Sequence, residues 1–296
     1  MTGPDSPSNA PRVALIGFGE AGETFAVAGR WSDRASAWDL LPERSAQAAH
    51  HGVKAAPSAA AALSNAAVVL SLVTADQALA AAADYAPLLA PGTLWCDMNS
   101  VAPETKRAAA KAVEAAGGRY VDVAVMAPVE KGLAVPLLLA GANANAAQQT
   151  LEQLGFLSIR VVGDEVGRAS AIKMIRSVMV KGLEALSDEC AAAAEAAGVL
   201  GEVTASLDAS EKTIGWAERF AYNRERMETH GLRRAAEMEE SAKTLLGLGV
   251  EPVMTRGTVQ RQRAAAQASR TRLVSSETAA PARGISASLD ANGIGI

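Results

Sequence analysis

Apolar residues follow two different periods along the chain, and the change between them divides it. From residue 13 to about 162, short apolar runs alternate with stretches in which apolar residues recur every three or four positions. The runs at 13–16, 35–38, 53–55, 67–73, 93–96, 120–125, 136–140 and 158–162 have the length of buried strands. Helices are predicted between them, from Pro42 to His50, near 58–63, from Pro103 to Gly117 and over 143–154. Strands alternating with helices of this length predict an α/β domain with a doubly wound parallel sheet covered on both faces.

After Gly163 no further strand is predicted. A helical period runs unbroken over 166–197, with Ile172, Ile175, Met179, Leu183 and Leu186 at steps of three or four, and Gly198 ends it. Further helical segments are predicted near 202–214, 216–245 and 252–269. The expected organisation is therefore a sheet domain over 11–163 and an all-helical domain over 164–270, entered through one long helix. Residues 1–10 read as a loose tail. So do residues 271–296, rich in Ser, Ala and Gly without a period.

Composition narrows the function classes. The chain has 296 residues, 49% hydrophobic and 20% charged, with a net charge of −4. That is ordinary for a globular protein and gives nucleic acid no basic surface to bind. Residues 57–75 are apolar enough to raise the question of a membrane span, but Ser58, Ser64, Asn65 and Ser71 interrupt them, and no span is expected. The start has no apolar core of a signal peptide. The two cysteines, Cys96 and Cys190, fit neither a disulfide framework nor a zinc spacing. They suggest a reducing, cytoplasmic setting with both thiols buried. His50, His51 and His230 offer no metal constellation.

The first strand runs into Gly17-Phe18-Gly19-Glu20-Ala21-Gly22, and a helical pattern follows. Strand, glycine turn and helix in this order form the fingerprint of a Rossmann-type dinucleotide site. Gly17 permits the tight turn, Gly19 lets the backbone approach a pyrophosphate, and Gly22 lets the helix pack closely on the strand. The helix N-terminus offers N–H groups to the phosphates. Asp39 lies 22 residues after Gly17, near the ~20-residue distance of the acid that binds the ribose hydroxyls. It favours NAD, with NADP left open because Arg34 and Arg44 are near in sequence. Val73 and Thr74, at the end of the fourth predicted strand, complete the expected cofactor site.

On the long helix Ser170, Lys173, Ser177 and Lys181 form one polar stripe at spacings of three and four. A lysine there is either a snorkelling surface residue or a proton carrier facing a cleft. Three segments in order resemble the β-hydroxyacid dehydrogenases, the group that includes 3-hydroxyisobutyrate and 6-phosphogluconate dehydrogenases. They are the GFGEAG turn, Asp97 to Pro103 (DMNSVAP) beside the family's D-x-S-T-x-x-P, and Gly163 to Lys173 (GDEVGRASAIK) beside the segment ending in the catalytic lysine. The resemblance covers about residues 11–200. It implies that Lys173 is the general acid/base and that Asn99 and Ser100 bind a carboxylate substrate. It also implies a homodimer formed through the helical domain.

This chain departs from the family in places. Met126-Ala127-Pro128 stands for the usual Ser-Gly-Gly, which puts Met126 at the substrate, and Ser177 stands for an asparagine. Lys131, His230, Arg233 and Arg234 are weaker candidates for holding an anion. The expected activity is hydride transfer between a nicotinamide and a small β-hydroxy acid or related hydroxy or keto acid. Two alternatives stay open, an imine (C=N) reductase of the same fold and a non-catalytic NAD(P)-binding regulatory protein.

Overall fold

The computed structural model describes residues 11–278, apart from position 212. The tail expected at 1–10 lies outside the described residues, and so does the tail from 279 on. The chain separates into two compact units between Met179 and Val180.

The first unit is one sheet of eight strands with helices between them. The strands are β1 (Val13–Ile16), β2 (Ala35–Trp38), β3 (Lys54–Ala55), β4 (Val68–Ser71), β5 (Leu94–Asp97), β6 (Arg119–Val125), β7 (Leu137–Ala140) and β8 (Ile159–Gly163). Their order is β3-β2-β1-β4-β5-β6-β7-β8. The chain fills one side of β1 first and then resumes on the other with β4. The crevice outside the carboxyl ends of β1 and β4 is therefore the switch point at which doubly wound sheets bind ligands. The covering helices are α1 (Glu20–Gly29), α2 (Pro42–His50), α3 (Ala59–Leu63), α4 (Ala78–Tyr85), α5 (Pro103–Ala115) and α6 (Ala144–Gln153).

All four residues of β1, β4 and β5 are buried, as expected of strands covered on both faces. Val13, Leu15, Val68, Leu70 and Cys96 share a core with Phe25, Trp31 and Phe156. Ala14, Ile16, Val69, Trp95 and Tyr120 share another with Leu63, Ala109 and Val113. Phe25 meets Phe156 edge to face at 5.2 Å, and the Trp31 indole donates to the Leu154 carbonyl at 2.9 Å.

The sheet departs from the all-parallel expectation at one place. β6 and β7 pair antiparallel, Asp122 opposite Ala140 and Val125 opposite Leu137. A parallel return needs a crossover of a dozen or more residues. Only a 3₁₀ segment, Val129–Ala134, lies between these strands, and the Met126 N–H donates to the Pro136 carbonyl at 2.9 Å, closing a hairpin.

The helix α7 (Arg168–Ala196) begins in the first unit and continues into the second, which also holds α8 (Leu200–Ser210), α9 (Trp216–Gly247) and α10 (Val253–Thr278). Helix α10 thus extends through the first eight residues of the segment expected as a tail. α9 and α10 pack closely because small residues face each other. Ala235 and Ala266 are buried, and a Cβ at Gly231 would overlap the Gln262 carbonyl oxygen. No helix among the described residues is long and apolar enough to cross a membrane. The period that marks α7 locates the helix but not a buried face, since Ile175, Leu183 and Leu186 are exposed. Cys96 is buried as expected, but Cys190 is exposed, because the helix turns its neighbour Glu189 inward instead.

Glu189 serves the N-terminus of α10. Its carboxylate accepts from the Met254 N–H at 2.7 Å, the Thr255 N–H at 2.9 Å and the Thr255 hydroxyl at 2.6 Å. Burial raises its pKa, but the Thr255 hydroxyl and the backbone donors outweigh burial and leave it below the ordinary glutamate value. Glu189→Ala is expected to lower stability by about 1–3 kcal/mol, through donors left unsatisfied at a helix start. A depressed acid contributes fully above its unfolded pKa and loses its contribution as pH falls through its folded pKa. The gap in thermal midpoint between the two proteins should therefore hold at neutral pH and close below the ordinary glutamate range. A gap that persists in acid would show that charge is not involved.

Candidate functional site

At the carboxyl end of β1 the chain turns at Gly17, whose φ is +92°, and the Gly17 N–H donates to the Trp38 carbonyl at 2.9 Å. A Cβ there would lie 2.6 Å from the Leu72 carbonyl oxygen, so glycine is required twice over. A Cβ at Gly22 would lie 2.8 Å from the Gly17 carbonyl oxygen, which is the close packing of α1 on the turn. Gly19, the N-cap of α1, has open space where a side chain would stand. Phe18 buries its ring completely, and its N–H donates to Asp39 Oδ2 at 2.7 Å. Asp39 Oδ1 accepts from the Leu41 N–H at 3.0 Å, so the carboxylate is fixed at both oxygens. Glu20 is exposed and Ala21 half-buried on the first turn of α1.

Gly17, Gly19, Asp39, Val73 and Thr74 line one cavity of ≈ 390 Å³ together with Arg44, within the usual range of ligand pockets. Trp38, Asp84 and Tyr85 also line it, and the Trp38 indole donates to the Tyr85 hydroxyl at 3.3 Å. The sequence reading missed these three. A strand end and a helix 46 residues apart carry no local signal that they will meet. The open glycine at a helix start, the fixed acid and the cavity between them fit a dinucleotide.

A second constellation lies at the ends of β5 and β6. Lys173 Nζ donates to Ser100 Oγ at 2.6 Å, joining residues from two of the three family-like segments. Asn99, next to Ser100, is buried. Its amide donates to Ser71 Oγ at 3.0 Å and to Asp97 Oδ1 at 2.8 Å, while its own oxygen is buried without a hydrogen-bond partner. Met126 packs half-buried beside Ile172 and Val162, and Ser177 is half-buried one turn beyond Lys173. Ser170, on the same stripe, is buried and gives both its N–H (3.0 Å) and its hydroxyl (3.1 Å) to Asp122 Oδ2. It is thus a structural member of the stripe. Lys131 is exposed on the hairpin between β6 and β7. In the helical unit, His230 and Arg233 line a depression of ≈ 290 Å³, and Arg234 is half-buried.

Beneath Ser100 sits a polar core. Lys106 has no exposed surface. Its ammonium donates to the Asp97 carbonyl (2.5 Å) and to Asp97 Oδ1 (2.9 Å), and it stands 3.6 Å from Asp122 Oδ1. The Tyr120 hydroxyl donates to Asp97 Oδ2 at 2.6 Å. Burial, and then the neighbouring Asp97, push this phenol far above its ordinary pKa, so it stays a donor at any working pH. The same two causes push the Cys96 thiol up to about 12, which leaves it protonated and poorly nucleophilic. Among the described residues, no group of three His, Cys, Asp or Glu side chains is placed to hold a metal ion.

Known proteins share this fold. Residues 12–164 match the family model for the NAD binding domain of 6-phosphogluconate dehydrogenase, and residues 194–265 match a domain of unknown function (DUF1932). A conserved hypothetical protein from Sinorhizobium meliloti 1021 is 38% identical, with 88% of this chain and 90% of that one covered and a TM-score of 0.58. A second protein, described as structurally similar to 3-hydroxyacid dehydrogenases, is 30% identical over 88% of this chain and 98% of its own, with a TM-score of 0.57. An imine reductase from Streptomyces aurantiacus is 21% identical, covers 88% of this chain and 99% of its own, and has a TM-score of 0.69. At that identity it shows a shared fold. A family model spanning more than half of the residues, and relatives at this identity along nearly their whole length, have one reading. The chain belongs to the NAD-binding family of 6-phosphogluconate dehydrogenase, the NAD(P)-dependent dehydrogenases and reductases of the hydroxyacid dehydrogenase fold.

Proposed function

We propose that this protein oxidises a small β-hydroxy acid, or reduces the corresponding keto acid, with Lys173 as general acid/base. The observation that carries the reading is the 2.6 Å hydrogen bond from Lys173 Nζ to Ser100 Oγ. It brings a proton carrier to a hydroxyl at the carboxyl edge of the sheet, where ligands bind in such folds. The nicotinamide, when bound, gives or takes the hydride. Lys173 Nζ takes the proton of the substrate hydroxyl during oxidation and returns it during reduction. Ser100 Oγ uses a lone pair to hold Nζ, which leaves its own O–H to donate to a substrate oxygen. Met126 and Ser177 flank the substrate, and Asn99 supports Ser100 from below. The exposed Leu183, Leu186, Leu207 and Phe220 of the helical unit support a homodimer formed through that unit.

The test is a panel of small hydroxy acids and cyclic imines, each offered with oxidised or reduced cofactor and followed by cofactor absorbance. Turnover of a hydroxy acid supports the reading. Turnover of imines alone replaces it with C=N reduction. Cofactor binding by calorimetry with no turnover replaces it with a regulatory role.

The cofactor should be NAD rather than NADP. Asp39 cannot swing away from a 2′-phosphate, because backbone N–H groups hold both its oxygens. Like charges forced together at an interface cost several kcal/mol. Arg44 lines the same cavity but is turned to Gln47 Oε1 at 2.8 Å. The expected result is a higher kcat/KM with NAD, and a shift toward NADP of about tenfold or more in Asp39→Ser. A wild-type preference for NADP would remove this role from Asp39.

A further inference from the structure

Lys106 takes no part in the proton transfer proposed above, yet it is the one fully buried lysine among the described residues. An ammonium buried in a protein core is costly unless it is paired and hydrogen-bonded. This one is held by the Asp97 carbonyl, by Asp97 Oδ1 and, at 3.5 Å, by the Val123 carbonyl, with Asp122 Oδ1 beyond at 3.6 Å.

Each of the two carboxylates holds one half of the site. Asp97 Oδ1 accepts from the N–H of Asn99 at 3.0 Å and from its amide, which fixes the residue before Ser100. Asp122 Oδ2 accepts from the Gly167 N–H (3.1 Å) and from the N–H and hydroxyl of Ser170. That fixes the first turn of α7, and Lys173 follows Ser170 by three residues. The parallel register of β5 and β6 places Asp97 directly beside Asp122. Two carboxylates buried side by side repel each other strongly unless a cation stands between them. Without Lys106 that repulsion would push Asp122 off the three donors of α7.

We propose that Lys106 is the positioning residue of the Ser100–Lys173 pair. Its buried ammonium balances the two carboxylates that anchor the Ser100 loop and the start of the Lys173 helix. The kinetic part of its test rests on the proposed role of Lys173; the structural part does not.

Two variants of the full chain test it, Lys106→Met and Lys106→Met/Asp122→Asn. Asparagine at 122 keeps an oxygen for the donors of α7 and removes the charge that Lys106→Met leaves unbalanced. Amide hydrogen exchange at Gly167 and Ser170 is read without substrate or cofactor. Then kcat and KM are read with the hydroxy acid that the panel identifies. In the single variant exchange at both amides should rise at least about tenfold, as expected for a broken buried ion pair. Its kcat should fall by about tenfold or more while KM stays within about threefold, since binding groups remain in place.

The double variant should recover most of both losses. A lysine that merely fills space would not be rescued this way, because the double variant still lacks it. Unchanged exchange in the single variant, or no recovery in the double, overturns the proposal. If the single variant does not fold, the double decides: it should fold with wild-type protection at Gly167 and Ser170, and fast exchange there overturns the proposal. If Lys173→Ala keeps its turnover, the proton role is lost while the exchange data still judge Lys106.

Discussion

Lys173→Ala is expected to fold, to bind cofactor as the wild type does, and to lose turnover by about 10²–10⁴-fold, the usual worth of a positioned acid or base. The hydrogen bond to Ser100 joins a half-buried side chain to an exposed one. Its loss should cost stability no more than about 0.5–1.5 kcal/mol. The chemical cost is larger because the proposed reaction creates or consumes an alkoxide, and a bare alkoxide in a dry site is expensive. An ammonium held at 2.6 Å from Ser100 Oγ can remove that charge as it develops. Lys173→Arg should not restore turnover, since a guanidinium stays protonated at any working pH and cannot accept the proton. Lys181→Ala is the control. It lies two turns further along α7 and is exposed, and its kcat should change by less than about threefold, as for other surface substitutions. Near-normal turnover by Lys173→Ala on the substrate the panel identifies would make the stripe ordinary helix surface.

The dinucleotide end of the molecule was legible because its signals are local. A strand, three glycines and a helix fall within seventeen residues, and Asp39 directly follows the neighbouring strand that pairs with β1. The strand runs were legible for the same reason, down to the two-residue β3. Direction was not. An apolar run reads the same both ways, and only the missing helix between residues 126 and 136 separates the antiparallel β7 from a parallel strand. Ser100 and Lys173 were each legible in a family-like segment, but that they touch is a property of the fold.

The polar core was hidden more deeply. Lys106 stands among Glu104, Arg107 and Lys111, a charge pattern that reads as a solvated helix face. It is buried because α5 packs where Asp97 and Asp122 lie side by side, and nothing along the chain says that this helix meets those two strand positions. Asn99 shows the same limit. Its motif position suggests a substrate ligand, whereas its amide is committed to Ser71, a residue 28 positions earlier that only the β4–β5 pairing brings near.

Gly17→Ala and Gly19→Ala are expected to fail in different ways, although they stand two residues apart. Gly17 has a φ of +92°, and its added Cβ would meet the Leu72 oxygen at 2.6 Å and the Leu72 carbonyl carbon at 2.8 Å. Those atoms are backbone at the end of a central strand, so they cannot step aside without disturbing the sheet. The backbone strain should cost roughly 1–3 kcal/mol and the overlap about as much again. In a domain of this size that lowers the thermal midpoint by on the order of 10 °C, with cofactor binding lost through distortion of the turn. Gly19 has a φ of −79° and nothing within 4 Å of its added Cβ. Gly19→Ala should therefore fold with a loss under about 1 kcal/mol, the usual price of alanine for glycine at an N-cap. With the pyrophosphate bound at this turn, as the fingerprint implies, its methyl group would nonetheless take space that the phosphates need to approach the backbone N–H groups. The dissociation constant for NAD should then rise at least about tenfold, because polar groups at that helix end lose their partner. Thermal melts separate the two causes, and calorimetric titration with NAD measures the second. Wild-type affinity in a fully folded Gly19→Ala would mean that the pyrophosphate does not lie against this turn.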